Sequence, residues 1–262
     1  MFLNRRMLLA GAAGVAFQRL SLGEEPVPSS HEVYELRQYT LRGGQRDTLI
    51  SIFEKHFIES QVALGAAVVG TFRDLDDPDR FVWIRGFHDM LRRRQALEGF
   101  YGGPIWHAYG PAANATMIDS ANVLLLRPAC AAQDFGELPA RNAVAGGKFG
   151  ADIYYLDNAP LVQFSQFFDR ILAPVILAAG GQLVARLTTE ESQNDSRLPV
   201  REHDRTYVCI TRWPHSDAQA EFVRHFASLS GWRDSAPEAI LPALMRKPER
   251  LRLAPTGRSL LQ

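Results

Sequence analysis

From position 31 onward the chain reads as one order of elements, passed through twice. The run "HEVYELRQYTL" is rich in strand formers and closes at Gly43 and Gly44. "QRDTLISIFEKHFIESQVAL" has a helical period and stops at Gly65. "AAVVGTFRDL" and "FVWIRGF" read as strands on either side of the turn "DDPDR". Residues 89–101 are helical, the break at Gly102, Gly103 and Pro104 follows, and a second helical piece runs to about Met117 before the strand "NVLLLRP". The second pass has a strand at "ADIYYLD" and a helix over 160–179 that ends at Gly180 and Gly181. The strands "QLVARLTTEE" and "RTYVCITRW" flank a polar loop over 192–204; a helix over 217–230 and the strand "RLRLAP" complete it.

This order, β-α-β-β-α-β, is the ferredoxin-like unit. It constrains the fold because each unit puts its helices on one face of a four-stranded sheet and leaves the other face bare. That bare face is apolar here. Side chains alternate along a strand, so Tyr34 and Leu36 point one way and Val33 and Tyr39 the other; Val82 and Ile84 oppose Phe81, Trp83 and Phe87. Neither face suits water. The expected fold class is therefore α+β, with tandem ferredoxin-like repeats packed sheet against sheet as an α+β barrel, preceded by a signal peptide. The expected boundaries are a leader and linker over 1–30, a first domain over 31–128, a linker over 129–147 and a divergent second domain over 148–256.

The remaining totals mostly exclude. Lys+Arg and Asp+Glu balance at 29 each in 262 residues, so the basic excess of a nucleic-acid binder is missing. The two cysteines, Cys130 and Cys209, make neither a metal-ligand spacing nor a disulfide framework. At the N-terminus, Arg5 and Arg6 precede an uncharged stretch rich in Ala and Gly over residues 7–17. That run is shorter than the about 20 residues of a membrane span and fits a signal-peptide core. The sequence Asn4-Arg5-Arg6-Met7-Leu8-Leu9 resembles the twin-arginine export motif. The expected location is periplasmic if that signal operates and cytoplasmic otherwise. No later uninterrupted apolar run reaches spanning length, so no transmembrane span is expected. A homo-oligomer is compatible with everything above.

The stretches "FVWIRGFHDM", Arg93, "LEGFYGGPIW" and "NVLLLRP", with "YELRQYTLRGG" and "VVGTFRD", resemble the NIPSNAP family over residues 31–128. The second half resembles the divergent repeat of longer family members. The resemblance implies a dimeric α+β-barrel fold, related to small antibiotic-biosynthesis monooxygenases and haem-containing barrel enzymes. It also implies that any site lies between helices and sheet. No reaction follows from it.

Six residues stand out there. His56 falls on the apolar face of the first helix, about 20° from the direction of Leu49 at 100° per residue, with Ile52, Phe53, Ser60 and Ala63 also turned inward. It is the best single candidate for a general base. Arg93 falls on the apolar face of its helix and needs a partner, with Asp89, Glu35 and Asp119 in reach. Arg85 shares a strand face with Trp83 and Phe87, and an ion pair of Glu35 with Arg37 or Arg85 would offset its burial. Trp83, Tyr101 and Trp106 supply aromatic walls. Together these residues suit a planar acid.

Three functions follow. The first is binding of a small, partly aromatic or acidic molecule between helices and sheet. The second is a cofactor-independent monooxygenase or isomerase of the α+β-barrel kind. The third is a structural or interaction protein without ligand. The first two require an enclosed cavity of about 300 Å³ or more walled by His56, Arg93 or Trp83; a space packed solid favours the third. No cofactor is expected, haem having no support among the residues, and no metal site is expected. The site is expected in residues 31–128, with the second half as structural partner.

Overall fold

A computed structural model of the chain describes residues 31–129, 134–136, 138, 147–215, 217–229, 231–232 and 234–262. The expected leader, and with it the export signal, lies outside the described residues, as does Cys130.

The first half runs β1 (Val33–Leu41), α1 (Arg46–Ile52), a π turn (Phe53–Phe57), α2 (Ile58–Val62), β2 (Ala67–Asp74), β3 (Arg80–Phe87), α3 (Met90–Tyr101), α4 (Pro104–Thr116) and β4 (Met117–Pro128). The second runs β5 (Lys148–Tyr155), α5 (Leu161–Phe167), a π turn (Phe168–Leu172), α6 (Ala173–Ala178), β6 (Gln182–Thr189), β7 (Thr206–Trp213), α7 (Ala218–Ser228), a 3-10 turn (Glu238–Ile240), α8 (Leu241–Met245) and β8 (Glu249–Pro255). The short α8 takes the place of α4. It is not among the expected elements, because five residues with a proline at position 242 show no helical period.

All neighbouring strands are antiparallel, and the eight close into a barrel in the order β1-β3-β2-β8-β5-β7-β6-β4. The halves are joined twice, where Phe72 pairs with Pro255 and where Leu126 pairs with Thr189. The bare apolar faces therefore meet inside the barrel, where Tyr34, Leu36, Val82 and Ile84 pack with Ala151, Ile153, Val208 and Ile210. Closure pairs both edges of each of these eight strands, which leaves none of them open to template aggregation.

The opposite strand faces carry the helices. In the first half Tyr39, Phe81 and Trp83 pack under Leu49, Phe53, Phe57 and Phe100. In the second, Tyr154, Tyr207 and Cys209 pack under Phe164, Phe168, Leu172 and Ile176. The segment Leu161–Ala178 is apolar and long enough to cross a membrane by length and composition. Its Phe164, Phe167, Phe168, Leu172, Ala173 and Ile176 are buried in the fold. Both π turns sit at the same place in their halves. Each inserts one residue, so the buried ladder steps strictly by four: Leu49, Phe53, Phe57, Gln61 and, in the second half, Phe164, Phe168, Leu172, Ile176.

Local signals set the ends. Asp89 caps α3, its carboxylate accepting the Arg92 N–H at 2.7 Å. Gly103 separates α3 from α4 because a Cβ there would sit 2.6 Å from the Gly99 carbonyl oxygen. Pro104 then opens α4 at a position where no N–H is needed.

Candidate functional site

The first half buries an ionic cluster beneath α2 and α3. Glu35 on β1 stands in register with Arg85 on β3. Glu35 Oε2 accepts from Arg37 Nη1 at 2.6 Å and Arg85 Nε at 2.8 Å; Oε1 accepts from Arg93 Nε at 2.7 Å. All four side chains are buried. Desolvation costs several kcal/mol per ion, so such a group persists only with good geometry and further hydrogen bonds. Those bonds are present. Arg37 Nε donates to Tyr39 Oη at 3.0 Å, and Arg85 Nη1 to Gln61 Oε1 at 2.8 Å. Arg93 Nη1 donates to Asn194 Oδ1 at 3.1 Å and Asp195 Oδ1 at 3.2 Å. The Arg85 guanidinium also lies 4.9 Å from the centre of the Trp83 ring.

Burial alone would raise the Glu35 carboxyl, but Arg85, Arg37 and Arg93 outweigh it and hold it well below the usual carboxylate range. It is an anion at every physiological pH. Three guanidiniums thus face one buried carboxylate, and among the described residues only Asp195, at the rim and 30 % exposed, offsets another charge. Arg93 Nη2 and Trp83 Nε1 are buried without a hydrogen-bond partner among the described residues.

Above Trp83 the space between helices and sheet is nearly full. Tyr39, Phe53, Phe57, Phe100, Tyr101 and Trp106 leave a void of about 20 Å³, with Gln61 as its polar wall. That is room for about one water-sized molecule. The enclosed cavity of about 300 Å³ expected from the sequence is therefore absent, because the aromatic side chains fill it. A larger space of about 360 Å³ lies outside, as an open cleft between α3 and the β6–β7 loop, walled by Leu97, Glu98, Tyr101, Asp195, Ser196, Arg197 and Leu198. Tyr101 is a wall of both spaces.

The structure thus brings together Trp83, Arg85, Arg93, Tyr101 and Trp106. It places His56 elsewhere. That ring is half-buried and stacks on Tyr109 with centroids 3.5 Å apart, and it lines neither space. The π turn explains the difference: the inserted residue advances the phase, so Phe57 and Gln61 turn inward where an unbroken α-helix would turn His56 and Ser60. Arg93 meets Glu35, whereas Asp89 is committed to its cap and Asp119 accepts from Ala121 N. The second half is more than a structural partner, since its loop supplies Asn194 and Asp195. Only the length of that polar loop, more than a tight hairpin requires, hinted at this in the sequence.

The residues do not fit haem: His56 is stacked away from both spaces, and a void of about 20 Å³ is far smaller than the macrocycle. Among the described residues, no group of three or more His, Cys, Asp or Glu side chains could hold a metal ion.

The second half carries a weaker counterpart. Asp152 stands across from Cys209 as Glu35 stands across from Arg85. Its Oδ1 lies 3.2 Å from both Gln219 Nε2 and Arg250 Nε. Burial pushes this carboxyl up to about 6, more than Arg250 and Gln219 lower it. Cys209 is a free buried thiol, raised by burial and then by Asp152.

No family model matches the chain, and no curated protein matches it. Solved structures do. A protein provisionally named a monooxygenase from Lactobacillus acidophilus aligns over 86% of this chain and 94% of its own, at 13% identity and a TM-score of 0.52. Another with that provisional name, from Fusobacterium nucleatum, aligns over 87% and 93%, at 10% identity and 0.54. The fold is a tandem α+β barrel shared with these proteins. A NIPSNAP-family protein of unknown function from Agrobacterium tumefaciens aligns over 37% of this chain and 88% of its own, at 23% identity and 0.35. NIPSNAP proteins are thus among the structural neighbours, as the resemblance in residues 31–128 implies, while the full-length neighbours bear monooxygenase names. At these identities the likeness establishes fold, and function must come from the site.

Proposed function

We propose that this tandem barrel is a cofactor-independent oxygenase that holds a compact aromatic molecule as its anion in the cleft beside α3. The observation that carries the reading is the charge imbalance. Three buried guanidiniums face one buried carboxylate and the rim carboxylate of Asp195, and among the described residues Arg93 Nη2 and Trp83 Nε1 have no hydrogen-bond partner. Dioxygen reacts without a metal or flavin only with an electron-rich partner, and a phenolate or enolate is far richer than its neutral acid. The guanidinium of Arg93, buried behind the rim of the cleft, favours that anion over its neutral acid. The void behind Tyr101 is lined by aromatic rings and is of a size to hold one small molecule such as dioxygen. In a balanced reaction of this kind, an activated CH₂ group and O₂ give a C=O group and water, with no outside reductant. The names of the two full-length neighbours support the same reading.

The test is dioxygen consumption by purified, chelator-treated protein with phenols and ring-activated methylenes such as anthrone. Protein-dependent consumption, with one atom of ¹⁸O₂ recovered in the ketone, is the expected result. Consumption at the buffer rate with every compound refutes the reading.

The enclosed cavity required of a ligand site between helices and sheet is filled, so the oxygenase reading rests on the open cleft alone, and the filled space favours a second reading, an interaction protein without a small ligand. It predicts that protein from its native source carries no bound small molecule in native mass spectrometry.

A further inference from the structure

We propose that the cleft between α3 and residues 194–198 is a binding site for a carboxylic acid, whose carboxylate replaces Asp195 on Arg93. The proposal deepens the oxygenase reading by naming a ligand class, and it rests on that reading only for what happens after binding.

Arg93 is fully buried, yet Nη1 reaches a carboxylate at the rim of an open cleft. Asp195 belongs to a loop of the other half, 102 positions away in the chain. The corresponding β2–β3 connection of the first half is a tight turn over residues 75–79; its Asp76 also meets an arginine of the other half, Arg252, but in an exposed pair rather than on a buried guanidinium. The guanidinium is only partly used: Nε serves Glu35, Nη1 serves Asn194 and Asp195, and Nη2 is buried without a hydrogen-bond partner. A carboxylate is the group that matches a guanidinium fork with two parallel hydrogen bonds. An incoming carboxylate on Nη1 and Nη2 would satisfy the idle nitrogen. The exchange also leaves the net charge of the buried cluster unchanged, so the desolvation cost of Arg93 is not incurred a second time. Leu97, Tyr101 and Leu198 form the apolar part of the cleft and suit an aromatic or aliphatic body attached to the acid. In the free protein, Asp195 stands in for the ligand and tunes its affinity downward.

The experiment is calorimetric titration of the full chain with benzoate and with benzamide, in the wild type, Asp195→Asn and Glu191→Gln. Glu191 is an exposed acid of the same loop outside the cleft. The expected result is benzoate binding about tenfold tighter in Asp195→Asn, less than about threefold changed in Glu191→Gln, and benzamide indifferent throughout. Asp195→Ser, which also lacks the carboxylate, must behave as Asp195→Asn. Equal affinity in wild type and both Asp195 variants overturns the proposal, as does no benzoate binding by any protein. An equal gain in Glu191→Gln also overturns it, by showing a general field effect. Tighter benzoate binding without dioxygen use removes the oxygenase reading and leaves this site standing; dioxygen use without the benzoate gain does the reverse.

Discussion

Two buried carboxylates at matching places in the halves show how much neighbours decide. Glu35 has three arginines and is held low; Asp152 has Arg250 and Gln219 and rises to about 6. Their contributions to stability therefore have opposite signs. Asp152 takes up its proton more readily folded than unfolded, so its contribution is fully present below about pH 4 and is lost as pH rises through about 6. The gap from the ordinary value of 3.8 corresponds to about 3 kcal/mol. Asp152→Asn should stabilise the protein at pH 7 by up to about 3 kcal/mol and have little effect at pH 3.5. Glu35→Gln removes the counter-charge of three buried guanidiniums and should cost about 3–5 kcal/mol at pH 7. Urea unfolding of both variants at both pH values checks this; shifts of the same sign at pH 7 would contradict it.

At the scale of elements, the π turn over Phe53–Phe57 decides which side chains meet the sheet. A π turn costs some hydrogen-bond quality, and packing must offset it. Here the return is a four-step ladder that ends in Gln61, the acceptor for Arg85. Deletion of exposed Lys55 should convert the turn to regular α-helix with Phe57 and Gln61 still facing the sheet, because loss of the inserted residue moves both into the inward positions of an unbroken helix. Stability in chemical denaturation should then change by less than about 1 kcal/mol. A loss of about 3 kcal/mol or more, as an orphaned buried Arg85 would cost, would show that the inserted residue does not set the phase. The strands were legible in the sequence because alternation survives any tertiary setting; Trp83, Arg85 and Phe87 share one face as their spacing requires. The phase of the first helix was misread from the same spacing logic, because one inserted residue rotates all that follow it.

For the whole molecule, barrel closure makes the halves dependent on each other. Separation exposes the inner faces that carry Tyr34, Leu36, Val82 and Ile84, and each buried aliphatic side chain of this kind is worth about 1.5–3 kcal/mol. Residues 31–128 alone should associate into dimers or larger species, seen as concentration-dependent mass in light scattering. A folded monomer would contradict the dependence. Closure also creates the cleft, since α3 comes from one half and Asp195 from the other.

By itself, the sequence determined the order of strands and main helices, the two-sided strands and the break at Gly103 and Pro104. These depend on backbone geometry within a few residues. Tertiary structure alone decided that His56 faces Tyr109, that aromatic rings fill the helix–sheet space and that Asp195 meets Arg93. Those outcomes depend on how elements far apart in the chain share volume and charge, and local periodicity carries no record of that.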